Sequence, residues 1–382
     1  MDPGGGQMAR AGKRKTVKKA RPSKRGAKKA AAKAVRAKAA PATGPVTLDE
    51  ARTLAAAKQP KLAARALRKT AAPPASPAAV GAEREKLREE QREERARRVR
   101  EYKATMEIMK RRGARRRRSK AAKAVDGEPT AKGGEAFDPL QIFAEGDSWF
   151  DYPVPFFGGG IIPRLEDRLG VPILNLAKAG DEVRYMLGVE ERKVLAEHLT
   201  DGSPTGGPWD VLLFSGGGND IVDNPMALWI KDFNPALPPA AHIHQARFDA
   251  ALALVRAGYE DLIGLRDSIS PSTHLAFHGY DFAIPDGRGI CGFGPWLKPT
   301  FDLRKFPTRA AMEAVVKAML EQFAVMLTSL AGPTVTFINT QGTLAPQPSS
   351  WHNELHPART GFGNFADVFQ LKLKALFPDR VA

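Results

Sequence analysis

From Phe137 onward, short apolar runs alternate with segments whose apolar residues recur every three or four positions. Leu140–Ala144, Pro172–Leu176, Val211–Ser215, His274–His278 and Thr334–Ile338 are apolar over most of their length. Strands buried on both faces of a parallel sheet have this appearance. Helical spacing covers residues 160–169, 182–199, 242–268, 308–330 and 361–376. In the fourth, Ala311, Val315, Met319 and Phe323 fall at four-residue steps and mark one face. Five strands alternating with helices predict a three-layer α/β/α domain with a five-stranded parallel sheet. Ligand sites in such a sheet form at the carboxyl ends of the strands.

Before Phe137 this pattern stops. Residues 12–40 are a Lys/Ala-rich stretch of low complexity. Thr47-Leu-Asp-Glu50 reads as a capping box opening a short helix that runs over 47–59 to Pro60. Residues 82–112 carry mixed-sign charges at i,i+3 and i,i+4 with no Gly or Pro, which predicts a solvent-exposed helix acting as a spacer. No apolar seam is sustained there, so a coiled coil is not expected. After Gly113, Arg115–Arg118 returns to pure positive charge.

Charge divides the chain at the same place. Residues 1–135 hold 39 Lys+Arg against 14 Asp+Glu, net +25, whereas 136–382 hold 20 against 28, net −8. The first part contains a single aromatic residue, Tyr102. Ordering a chain costs on the order of 1–2 kcal/mol per residue, which so little apolar surface does not offset. We therefore expect a mostly disordered basic extension over 1–135 and a folded domain over 136–382. Lys and Arg at 12–40 and 111–120 could neutralise phosphates, so nucleic acid or another polyanion is a candidate partner. The plain alternative is a solvated tail.

With one cysteine, Cys291, no intrachain disulfide can form. No apolar run of about 18 residues is present, which argues against a membrane-spanning helix. The start MDPGGGQMARAGKRK lacks the apolar core of a signal peptide and resembles a transit peptide only in its Arg/Lys/Ala bias, so a cytoplasmic protein is expected. Gly216–Gly218 is not followed by Gly-Lys-Ser/Thr, so a phosphate-binding P-loop is not expected. His242 and His244 have no partner pair to complete a zinc site and read as surface residues, and no metal or other cofactor is anticipated.

Reactive residues collect just beyond the strand ends. Gly146-Asp147-Ser148 follows the first strand, Gly180-Asp181 lies beyond the second, Asn219-Asp220 beyond the third, and Trp351-His-Asn-Glu-Leu-His356-Pro357 beyond the fifth. A serine hydroxyl is a weak nucleophile that needs a base such as histidine. The backbone N–H groups of Ser148 and Gly180 and the Asn219 amide could stabilise a tetrahedral oxyanion. Asp147 is better placed to hold the turn than to act in the chemistry.

In these blocks the sequence resembles the SGNH hydrolases, the GDSL-like esterases, over roughly residues 139–378. Gly146-Asp-Ser148 matches the first block, Gly180 lies in the second, Gly217-Gly-Asn219-Asp220 fits the third, and His356-Pro357 fits the fifth. The resemblance implies a flavodoxin-like sandwich and a serine esterase. In it Ser148 is the nucleophile, His356 the base, and Ser148, Gly180 and Asn219 form the oxyanion hole. One position departs: where the family has Asp-x-x-His, this chain has Asn353. An amide can orient an imidazole but carries no charge; in Ser-His-Asp proteases the Asp-to-Asn change costs about 10⁴ in rate. Asn353, Glu354 or a backbone carbonyl could orient His356, and turnover is expected to be slow to moderate.

The glycine-rich loop Pro285–Trp296 is expected to wall the site. Trp149, Phe150, Tyr152, Phe156, Phe157 and Trp296 are expected to form an aromatic rim for an acyl or sugar ester. His278 and Asp281 are expected to pack in the core or the loop, and Cys291 is tied to no histidine. The competing reading is a polyanion-binding protein on a decayed SGNH scaffold. No pattern specifies the acyl group, the alcohol or an oligomeric state.

Overall fold

The computed structural model describes residues 44–57, 77–115, 136–152, 159–290 and 292–381. Residues 12–40 and 116–120, Phe156, Phe157 and Cys291 lie outside them, as do residues 58 and 59 at the end of the first expected helix.

Helix α1 (Leu48–Ala56) begins with the expected capping box: Glu50 N–H donates to Thr47 Oγ1 (3.4 Å), and Thr47 N–H donates to Glu50 Oε2 (2.8 Å). Helix α2 (Pro77–Arg112) ends at Gly113, whose φ of 78° breaks the helix. It is not a solvated spacer. Tyr102, Met106, Ile108 and Met109 are buried in the core, and the Tyr102 ring lies 5.5 Å from that of Trp209. Tyr102, Met106 and Met109 share one helical face, at i, i+4 and i+7, with Ile108 beside it, a pattern that an average over 135 residues conceals. Strand β1 (Ala114–Arg115) pairs antiparallel with β2 (Ala136–Phe137), and Val46 bridges to Ala114. The described residues of the extension thus pack on the same compact unit as the sheet, Gly44–Ala382.

The main sheet contains β3 (Ile142–Gly146), β4 (Ile173–Asn175), β5 (Val211–Ser215), β6 (His274–His278) and β7 (Val335–Ile338). Their order is β4-β3-β5-β6-β7, all parallel. This is the flavodoxin-like arrangement, with its switch point at β3. Between and after the strands run α3 (Ile161–Leu169), α4 (Val183–Met186), α5 (Val189–Asp201), α6 (Gln245–Ile269), α7 (Lys298–Leu303), α8 (Arg309–Thr328) and α9 (Arg359–Leu376). Helices α3 and α9 pack together in one layer; α6 packs with α4, α5 and α8 in the other. The helical stretch expected at 182–199 is broken at Gly188, which precedes α5.

Close packing explains the glycines near the switch point. A Cβ on Gly146 would lie 2.6 Å from the Ser215 carbonyl oxygen, on the paired strand. At Gly218 it would meet the Tyr280 ring at 2.7 Å. The run 216–218 therefore lets side chains cover the end of β5. Among the described residues no helix is long and apolar enough to cross a membrane.

Candidate active site

Ser148 stands in a tight turn at the end of β3, and its neighbour Asp147 holds that turn. Asp147 Oδ1 accepts the Trp149 N–H (2.9 Å) and the Ser215 hydroxyl (2.8 Å), while Oδ2 accepts the Tyr280 hydroxyl (2.5 Å). Burial pushes the Asp147 carboxyl up to about 6. Ser215 also contacts His278 Nε2 (2.9 Å), so His278 belongs to the core beneath the turn. Asp281 lines the cavity beside Ser148 and accepts the N–H groups of Phe282, Gly342 and Leu344.

His356 comes from the loop after β7. Trp351 and Pro357 form an isolated bridge, and the His352 N–H donates to the His356 carbonyl (2.8 Å). This loop carries the His356 ring to Ser148, with Nε2 2.7 Å from Oγ. On the other side Nδ1 lies 3.0 Å from Asn353 Oδ1. The same Asn353 oxygen accepts the N–H groups of Leu355 (3.0 Å) and His356 (2.9 Å), which only an oxygen can do. Its orientation fixes the tautomer: Nδ1 carries the proton, and Nε2 is left as the acceptor facing Ser148. The Asn353 amide then donates to the Tyr152 hydroxyl (3.1 Å), which contacts His352 Nδ1 (3.0 Å). Tyr152 also stacks on the His356 ring, with centroids 4.4 Å apart and planes 26° apart. Burial, aided by nearby His352, lowers His356 to about 3.

Glu354 is turned away from this chain of contacts. It is fully buried, and its two oxygens accept the N–H groups of Gly287 (2.9 Å), Trp296 (2.6 Å), Leu297 (2.7 Å) and Lys298 (3.0 Å). Glu354 thus clamps the glycine-rich loop, and Asn353 is the residue that orients His356. The loop places Trp296 edge-on to His356 at 5.9 Å.

Ser148, His356 and Asn219 border a narrow cavity of about 40 Å³, walled by Ile221, Val222, Leu297, Met319 and Leu320. Many solved structures similar to this chain carry the names of lipases, GDSL-like lipases or SGNH hydrolases. A lipase from a goat rumen metagenome is 16% identical, with 61% of this chain and 96% of that chain covered and a TM-score of 0.41. An extracellular lipase from Streptomyces rimosus is also 16% identical, covering 61% and 99%, with a TM-score of 0.39. A carbohydrate esterase family 3 protein from Talaromyces cellulolyticus is 12% identical, covering 63% and 99%, with a TM-score of 0.37. No protein-family model and no curated protein matches the sequence.

Other expected residues fall elsewhere. Gly180 is exposed with φ 81° and lines a neighbouring depression with Arg92, Arg95 and Lys178, outside the Ser148 cavity. Asn219 reaches the cavity, but one of its amide hydrogens goes to the Asp181 carbonyl (2.8 Å). Phe150 is not a rim residue: it is fully buried and stacks on His278 at 5.5 Å. His242 is not on the surface, since it is buried against Phe233. Among the described residues no group of three or more His, Cys, Asp or Glu could hold a metal ion. The bond between Tyr152 and Asn353 was missed from sequence, where Tyr152 offered only an aromatic near the serine turn.

Proposed function

We propose that this chain is a serine hydrolase that cleaves carboxylic esters through an acyl-enzyme on Ser148. The observation that carries the reading is the 2.7 Å contact from Ser148 Oγ to a His356 nitrogen left unprotonated by the Asn353 contact. As Oγ attacks the ester carbonyl, its proton passes to Nε2. The imidazolium is held by Asn353 Oδ1 on one edge and by the Tyr152 ring on one face. The Ser148 N–H and the second hydrogen of the Asn219 amide meet the oxyanion. The Gly180 N–H would add a third donor only from a loop position inside the cavity. The leaving alcohol takes the proton from Nε2, and a water molecule, deprotonated by the same nitrogen, releases the acid and restores Ser148.

A cavity of about 40 Å³ holds about three water molecules, which favours a short acyl group of about two to four carbons. Asn353, the residue that suggested a decayed scaffold, keeps its contact with His356. The test is turnover of p-nitrophenyl acetate, butyrate and octanoate with covalent labelling by a fluorophosphonate. Wild type should label at Ser148 and prefer the short esters, and Ser148→Ala should do neither. An unlabelled, inactive wild type would end this reading.

A further inference from the structure

We infer that Arg98, on helix α2, is a positioning residue that fixes two active-site loops to each other and so sets the oxyanion donors. Its side chain is 23% exposed, and four of its five N–H groups have partners. Nη1 donates to the carbonyls of Asn175 (2.9 Å), the last residue of β4, and Ala177 (3.1 Å), in the loop that leads on to Gly180 and Asp181. Nη2 donates to Asp151 Oδ2 (3.1 Å), three residues beyond Ser148. Nε donates to Glu94 Oε1 (3.0 Å), one turn back on its own helix, which aims the guanidinium at the two loops.

The consequence reaches the site through Asn219. Its amide donates to the carbonyl of Asp181, in the loop that Arg98 holds. Beyond Ala177, residues Lys178 to Gly180 are exposed, so little holds the loop there besides the hydrogen bond from the Lys178 N–H to the Gly146 carbonyl (2.8 Å). Arg98 therefore ties the Ser148 turn, through Asp151, to the segment that orients Asn219. Lysine presents one point charge and does not reproduce the fork. This inference rests on the ester-hydrolase reading and adds a part of the chain whose charge pattern suggested a spacer.

The test uses the full chain with p-nitrophenyl acetate, comparing wild type, Arg98→Ala, Arg98→Lys and Asp151→Asn. Displacing oxyanion donors by about 1 Å costs about 10²-fold, so Arg98→Ala should lose about 10- to 100-fold in kcat with KM within about twofold. Fluorophosphonate labelling should slow in parallel. Arg98→Lys should recover only part, and millimolar guanidinium, against matched sodium chloride, should partly restore Arg98→Ala. Hydrogen exchange at residues 176–181 should quicken in Arg98→Ala whether or not an ester is turned over.

An active wild type with kcat and labelling unchanged in folded Arg98→Ala would overturn the inference and leave the hydrolase reading standing. An inert wild type would overturn both. Should Arg98→Ala fail to fold, Asp151→Asn decides: a kcat loss of about threefold or more supports the inference, and an unchanged kcat rejects it.

Discussion

Replacing Asn353 by aspartate tests how this site works without a carboxylate. The wild-type amide already presents its oxygen to His356 Nδ1, because the N–H groups of Leu355 and His356 hold that oxygen in place. The wrong-tautomer penalty of about 10⁴ known for Ser-His-Asp sites therefore does not apply here, and only the missing charge separates amide from acid. A carboxylate about 4 Å from the imidazolium centre is worth about 4 kcal/mol at an effective dielectric of about 20, or about three pKa units. His356 would rise from about 3 to about 6. Part of the gain is lost because position 353 is fully buried and its carboxylate must be desolvated. A net 1–3 kcal/mol, about fivefold to 150-fold in kcat at pH 8, is the expected outcome. The sign reverses in acid. The wild-type base stays neutral down to about pH 3, whereas with the net gain the variant should lose half its kcat/KM at about pH 4–5. Rates of p-nitrophenyl acetate hydrolysis from pH 3 to 9, read at the isosbestic wavelength, give both quantities. An acid limb that does not move, with a lower kcat at pH 8, would refute the assignment of His356 as a base oriented by Asn353.

Other outcomes follow from the surroundings of the site. Gly146→Ala should cost about 1–3 kcal/mol, because its Cβ meets the Ser215 backbone and neither strand can yield; urea denaturation measures this. Glu354→Gln turns an amide N–H2 toward two of the four backbone donors, so a loss of about 3 kcal/mol and a raised KM are expected, from denaturation and kinetics. Burial raises Glu145 to about 8, so its contribution to stability is complete below pH 4.5 and is lost as pH rises toward 8. Stability should fall by about 2 kcal/mol between pH 6.5 and 8, and Glu145→Gln should remove that fall. His356 and His278, lowered to about 3 and about 4, each make stability fall as pH drops from 6.5. Between about pH 4.5 and 6 the raised Asp147 and Glu145 carboxyls oppose them, so the acid limb should be shallow until those carboxyls are protonated in both states. Melting temperature followed across pH 3–9 reads both limbs.

Much of the scaffold is legible from periodicity alone. Val211–Ser215 and His274–His278 are strands with the bounds expected, since a mostly apolar run between polar flanks leaves little freedom. The meeting of Ser148 with His356 follows from strand ends sharing one edge of a parallel sheet. What sequence conceals is orientation. Asn353 and Glu354 are adjacent polar residues, and only the backbone N–H groups around each reveal that one serves His356 and the other the loop. Gly180 has the residue type an oxyanion loop needs, yet its place depends on how the chain leaves β4. Phe150 follows Ser148 as any rim aromatic would, and only the packing of α9 shows that it faces the core. The docking of α2 was hidden by the abundance of charge around four apolar side chains.

That docked helix has a consequence for how the molecule keeps to itself. Strand β4 is an outer strand, three residues long, and α2 lies beside it with Arg98 occupying the carbonyls of Asn175 and Ala177. An uncovered outer strand offers its free backbone groups to the next molecule. A protein trimmed to begin at residue 136, where the charge changes sign, would bare that strand together with the apolar surface that Met106 and Met109 cover. It should self-associate on size-exclusion chromatography, whereas one beginning at residue 44 should not.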